Sequence, residues 1–225
     1  MKTKNVFIAL SIIGFVQLSA CGETFEEPAE NSSATLSLNI FGDVGSAAFS
    51  DYISQMPMED LSEKEIEGLV FMREEEKLAR DVYIKLYEKW TLMPFKNISK
   101  SEQAHMDAVL SLLNKYNLDD PAEGNEIGVF KNNELQELYD QLIERGLKSA
   151  TEALQVGALI EEVDIIDLQR IIDEDVDNED IEFVLTNLKR ASGYHLRAFV
   201  RNLKRYNVEY TPVLLEDEVF TGIIQ

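Results

Sequence analysis

The chain is poor in the residues that most directly announce chemistry. Its 225 residues include one cysteine, two histidines, one tryptophan and five prolines. A single cysteine excludes an internal disulfide and any cysteine-rich zinc or iron–sulfur site built within the chain. Positive charge is also scarce, with 21 Lys and Arg against 42 Asp and Glu and a formal charge of −21. That balance argues against nucleic acid as a partner, since phosphates would be repelled. It reads first as a solvated acidic surface and second as attraction for cations. No Gly-rich phosphate loop or Ser-His-Asp set is evident, and strand-like alternation is almost absent. What remains is 45% apolar residues, enough for a core, and two histidines to place.

The N-terminal stretch carries Lys2 and Lys4, an apolar run from Val6 to Val16, and then small residues. This predicts a secretory signal peptide, too short for a comfortable membrane span. Its end, Leu18-Ser19-Ala20-Cys21, resembles the bacterial lipobox. The resemblance implies that Cys21 is lipidated and becomes the first mature residue, placing the protein in the bacterial cell envelope with a lipid as its membrane contact. Residues 1–20 are then the signal and 21–57 a lipidated cysteine with an acidic, flexible tether, in which a short helix within "DVGSAAFSDYIS" is an option. Residues 58–210 form the domain, and 211–225 a C-terminal tail.

From Leu61 the pattern is helical. Ser62 followed by Glu65 is a capping-box signature, and the helix it opens lasts to about Trp90. Its apolar seam runs Leu69, Met72, Glu76, Ala79, Tyr83, Leu86 and Trp90, at steps of three and four. Glu76 falls on the seam; Glu74 and Glu75 fall off it. A second helix is predicted from near Ser99, after the loop "TLMPFKNIS", with the seam Ile98, Glu102, His105, Val109, Leu112 and Tyr116, stopping before Pro121. A short amphipathic helix follows, ending at Gly146 as a C-cap. Two more long helices span about Ser149–Asp175, with Glu161 and Asp164 on the seam, and Asn178–Tyr206, with Ser192 and His195 on the seam. Four long helices with a long second-to-third connection make an all-α up-down bundle with one crossover carrying an extra short helix.

On each long helix the polar seam residues lie between apolar neighbours. Charges are seldom buried unless paired or bound to a metal. A di-iron carboxylate site in a bundle takes a Glu from each of two helices and a Glu-x-x-His from each of the other two. Side chains at i and i+3 share one helix face, carboxylates neutralise the cations, and imidazole suits iron or zinc. Here Glu76 and Glu161 are the single contributions and Glu102 with His105 the complete motif. His195 closes the set, Ser192 stands where the second motif wants Glu, and Asp164 could supply that carboxylate. Glu162, Ser192 and Tyr83 are second-tier candidates. Other readings exist: core histidines bonded to carboxylates, an i,i+4 pair of Glu76 with Arg80, exposed acids at 161 and 162, and Tyr83 as a packing residue. The "IIDEDVDNEDIE" run lacks the central Gly and spacing of a calcium loop and reads as a solvated turn.

"EKLARDVY", "EQAH" and Glu161-x-x-Asp164 resemble the first three ferroxidase helices of rubrerythrin-like members of the ferritin-like superfamily. The fourth helix departs through Ser192. More closely, "FMREEEKLARDVY", "SEQAHMDAV", "LYDQLIERG", "GALIEEVDIIDL" and "SGYHLRAF" resemble a family of bacterial and archaeal proteins, domain of unknown function 2202, over residues 60–206. The resemblance implies a ferritin-like four-helix bundle. The cofactor expected is iron, as two ions or one, with zinc or manganese as alternatives. The activity expected is oxidase-type or peroxide-handling, with a non-enzymatic envelope adaptor or metal-sequestering protein as the alternative. The four-cysteine electron-donating domain of rubrerythrin is absent, so an oxidoreductase would need a separate electron donor. A homodimer is the remaining protein partner considered.

Overall fold

The computed structural model describes residues 46–225. The expected signal peptide, Cys21 and most of the stretch expected to be a tether lie outside the described residues. Among those described the protein is all-α, with seven helices and no strand: α1 (Ser46–Gln55), α2 (Glu63–Trp90), α3 (Met93–Lys115), α4 (Asn133–Gly146), α5 (Ala150–Glu174), α6 (Glu179–Arg205) and α7 (Asp217–Ile224). None of them is long and apolar enough to cross a membrane.

Local chemistry sets the ends. Ser62 accepts from the Glu65 backbone while Glu65 returns the bond to the Ser62 N–H, closing the capping box expected of that pair. Thr91, left-handed at φ 55°, terminates α2. The chain then re-enters a helix at once, so α3 starts at Met93 rather than near Ser99. Pro94 is tolerated there because first-turn N–H groups have no helical partner, and Phe95 anchors that turn in the core. Asn132 and Ser149 cap α4 and α5 through their side chains. Gly146 is the last residue of α4 and not its left-handed cap. A Cβ there would stand 2.7 Å from Leu86, so glycine serves a close approach of α4 to α2.

The four long helices pack as two principal pairs, α2 on α3 and α5 on α6, which meet through α2–α5 and α3–α6 contacts. Between them lies one apolar core, with Leu69, Met72, Leu112, Leu154, Leu188 and Phe199 almost fully buried. Helix α4 lies across α2 and α5, α1 lies on α3, and α7 on α6.

The crossover explains why α2 is so charged. Glu74 and Glu75, off the expected seam, are both buried, because more than one face of α2 is covered. The Arg73 guanidinium holds Asp120 at 3.0 and 2.9 Å and donates to the Met106 carbonyl. Glu74 accepts the backbone N–H groups of Lys131 and Asn132. Lys77, only 1% exposed, bonds Asp81 at 2.5 Å and the Glu126 carbonyl, and lies over the Phe130 ring. These contacts fasten the connection before α4 onto α2.

Residues 211–225, the C-terminal tail, are held against α5 and α6. The buried Glu162 carboxylate accepts the Tyr210 hydroxyl at 2.6 Å and the backbone N–H groups of Val213, Leu214 and Leu215. Arg197 donates to the Ile223 carbonyl, and the Phe220 ring packs at a tilt against Tyr210.

Candidate metal centre

Each long helix brings its polar seam residues to the same depth. Glu76 on α2, Glu102 and His105 on α3, Glu161 and Asp164 on α5, and Ser192 and His195 on α6 are all at most 9% exposed. Glu102 stands at the centre. Its Oε2 lies 2.7 Å from His105 Nδ1, and its Oε1 lies 2.9 Å from His195 Nδ1. Glu76 Oε2 approaches His105 Nδ1 at 3.1 Å, and Glu161 Oε2 approaches His195 Nδ1 at 3.4 Å. The arrangement is two overlapping triads, Glu76–Glu102–His105 and Glu102–Glu161–His195, with the ligand-capable atoms of each within 4.8 Å of one another. They share one carboxylate.

The surroundings orient these groups. The Tyr83 hydroxyl donates to Glu161 Oε1 at 2.6 Å, while its ring lies among Phe95 and Phe199. Gly157 permits that packing: a Cβ there would meet the Phe199 ring at 2.5 Å. The Ser192 hydroxyl donates to Asp164 Oδ2 and leaves Asp164 Oδ1 without a partner. The two imidazoles lie stacked, 5.5 Å between centroids. Glu75, which periodicity had placed off the seam, is 5% exposed, and with Asp164 it borders a cavity of about 20 Å³ walled by Leu138 and Leu142 of α4 and by Leu159. That is room for a molecule the size of water.

Burial pushes Glu76 up to about 7 against the pull of His105. Burial and the neighbouring acids push Asp164 and Glu75 well above the usual carboxylate range. Burial also pushes Glu161 up, partly offset by His195. Glu102 moves the other way, because the charges of His195 and His105 outweigh its burial. Burial opposes charge on His195, but Glu102 and Glu161 raise it to about 10; Glu102 and Glu76 raise His105 in the same way. Burial, then Glu161, holds the Tyr83 phenol protonated, as a donor.

The residues fit a cation. Glu76 Oε1, Glu102 Oε1, Asp164 Oδ1 and His195 Nδ1 are buried and sit in no hydrogen bond, although Glu102 Oε1 and His195 Nδ1 are only 2.9 Å apart. A positive charge between those two atoms, carried as a proton on the imidazole or supplied by a bound cation, satisfies both. Nitrogen and oxygen donors in this mixture suit iron, manganese or zinc.

All six residues assigned to the site from sequence lie in this region, although Asp164 falls outside both triads. Among the second-tier residues, Tyr83 and Ser192 contact it directly. Glu162 faces away and serves the C-terminal segment. Glu76 pairs with His105 and not with Arg80, which bonds Asp81 and Gln103. Periodicity missed Glu75 and also Ser101, whose hydroxyl lies 3.0 Å from His195 Nε2. A run of three glutamates offers no pattern to single out the middle one. The i,i+4 spacing of Ser101 and His105 was legible.

An all-α fold with a buried carboxylate–histidine cluster defines the class. The chain belongs to the family described as uncharacterized protein domain DUF2202, whose model matches residues 65–225. It is 55% identical over 174 residues to the uncharacterized protein MJ0754 of Methanocaldococcus jannaschii, covering 77% of this chain and 94% of that protein. It is also similar to the crystal structure of hypothetical protein MJ0754 from Methanococcus jannaschii, with a TM-score of 0.74 and 54% identity over 76% of this chain and 97% of that one.

Proposed function

We propose that this chain is a ferritin-like metal-binding protein, its four long helices forming a bundle around a site for two transition-metal ions. Iron is the first candidate, with manganese or zinc as alternatives, and the activity is that of an oxidase or a peroxide-handling protein. The observation that carries this is the central carboxylate: Glu102 presents one oxygen to each of two histidines from different helices, at 2.7 and 2.9 Å. Glu76 and His105 would hold one ion, Glu161 and His195 the other, and Glu102 both. Five neighbouring carboxyl groups (Glu75, Glu76, Glu102, Glu161 and Asp164) supply negative charge to balance two divalent cations. Asp164, oriented by Ser192, stands in for the carboxylate that position 192 lacks. When bound, such ions supply redox equivalents or polarise an oxygen-containing substrate. The protein's part is to aim Glu161 through Tyr83, exclude bulk water, and leave a water-sized cavity beside Glu75 and Asp164.

Residues 1–20 and Cys21 are proposed as a lipoprotein signal and anchor that tether the domain at the bacterial cell envelope. Reducing equivalents would come from a separate protein. The test is metal content and Fe(II) oxidation of the purified protein. Stoichiometric iron, manganese or zinc with oxygen- or peroxide-dependent Fe(II) oxidation supports the reading. A protein that takes up no transition metal on reconstitution refutes it.

One observation favours a second reading, a non-enzymatic envelope protein. The histidines and carboxylates approach at 2.7–3.1 Å and His195 is raised to about 10, so protonated imidazoles can balance part of the buried charge without a metal. Replacing both His105 and His195 separates the readings. Under this one, stability falls and wild type gains nothing from added metal.

A further inference from the structure

Ser101 precedes Glu102 by one residue and His105 by one helical turn, and it belongs to neither triad. Its hydroxyl oxygen lies 3.0 Å from His195 Nε2 and 3.5 Å from His105 Nε2. Both rings turn Nδ1 inward to the carboxylates, so one hydroxyl on α3 faces the outer nitrogens of a ring on α3 and a ring on α6. An imidazole that lends Nδ1 to a cation carries its hydrogen on Nε2 and needs an acceptor there. A serine oxygen has two lone pairs, enough to accept from both rings at once. A carboxylate could do the same, but it would add negative charge beside a cluster already rich in it. A neutral hydroxyl orients both rings without that cost.

We propose that Ser101 is the shared positioning residue of the two histidines, accepting from Nε2–H of both rings so that each Nδ1 faces the carboxylates, where a cation would sit. The assignment rests on the metal-binding reading above. It makes the two metal positions interdependent, since both rings lean on one oxygen.

The test compares Ser101→Ala, Ser101→Thr and Ser101→Val in the full chain. Thr and Val are nearly the same shape and differ in the hydroxyl. Co(II) titration followed by visible absorption should show a loss of about 10- to 100-fold in affinity for Ala and Val, the usual consequence of deleting an outer partner of a ligating histidine. Thr should restore most of it. In Zn(II)-loaded, ¹⁵N-histidine-labelled protein, both Nε2–H signals should be visible in wild type and exchange away in Ser101→Ala. Unchanged affinity and retained Nε2–H signals in Ala and Val overturn the assignment while leaving the metal site standing. Equal losses in Thr and Val assign Ser101 to packing alone and also overturn it. A wild type that binds neither Co(II) nor Zn(II) overturns the metal reading, and this one with it.

Discussion

Replacing Glu102 by Gln tests the centre of the site with a nearly isosteric change. A carboxylate offers an acceptor to both histidines, but an amide offers one oxygen and one NH₂. Because Oε2 lies 2.7 Å from His105 Nδ1 and Oε1 2.9 Å from His195 Nδ1, the NH₂ must face one of the two nitrogens. It then occupies the space a cation needs, so at most one position survives intact. Metal at a hundred times its Kd stabilises a folded protein by about 2.7 kcal/mol. For a chain of this size each kcal/mol moves Tm by roughly 2–4 °C, so wild type should gain about 5–11 °C. If the substitution weakens affinity about 100-fold at the same metal concentration, stabilisation falls to about 0.4 kcal/mol and the gain to roughly 1–2 °C. Differential scanning fluorimetry with and without Zn(II) or Co(II) reads this directly, each metal-free protein serving as its own baseline. A Glu102→Gln protein that keeps the wild-type gain would refute the shared-ligand role.

Three further outcomes are expected. Tyr83→Phe removes a buried 2.6 Å donor to Glu161 and leaves a carboxylate oxygen unsatisfied. It should cost about 1.5–3 kcal/mol, seen as a lower urea midpoint with unchanged slope; an unmoved midpoint contradicts it. Metal affinity should climb between about pH 6 and 9 with protons released on binding, because His195 at about 10 and Glu76 at about 7 hold protons in the metal-free protein that a cation must displace. An affinity independent of pH over that window would count against the site. Glu162→Ala removes the acceptor for Tyr210 and for the N–H groups of Val213–Leu215. Hydrogen exchange should then speed up at 213–215 while the core helices stay protected, and uniform protection would show that α7 docks without Glu162.

The long helices were legible because each is long, capped and periodic. Ser62 with Glu65 marked the start of α2, and the step-three and step-four rows put Glu76, Glu102, His105, Glu161, Asp164, Ser192 and His195 on inward stripes. The start of α3 was harder to read. Met93 to Ser99 looks like a loop around Pro94, yet a proline in the first turn is compatible with a helix, and Phe95 needed the core to decide its fate. Residues 211–225 carry no strong pattern of their own. Their order comes from Glu162 and Arg197, distant in sequence.

Sequence alone determined which side chains could share a depth, because a helix repeats at a known interval and a charge on an apolar stripe must be explained. It could not determine how many faces of each helix are covered. That depends on where the chain goes after the helix ends. The connection before α4 folds back on α2 and buries Arg73, Glu74 and Lys77, while α4 and α5 close over Glu75. None of these follows from periodicity within α2. The two rings meeting over Ser101 and the two oxygens of Glu102 dividing between two histidines are likewise tertiary facts. They arise only when α3 and α6 pack at this register, since short-range order places residues on a face but only packing sets the distances between faces.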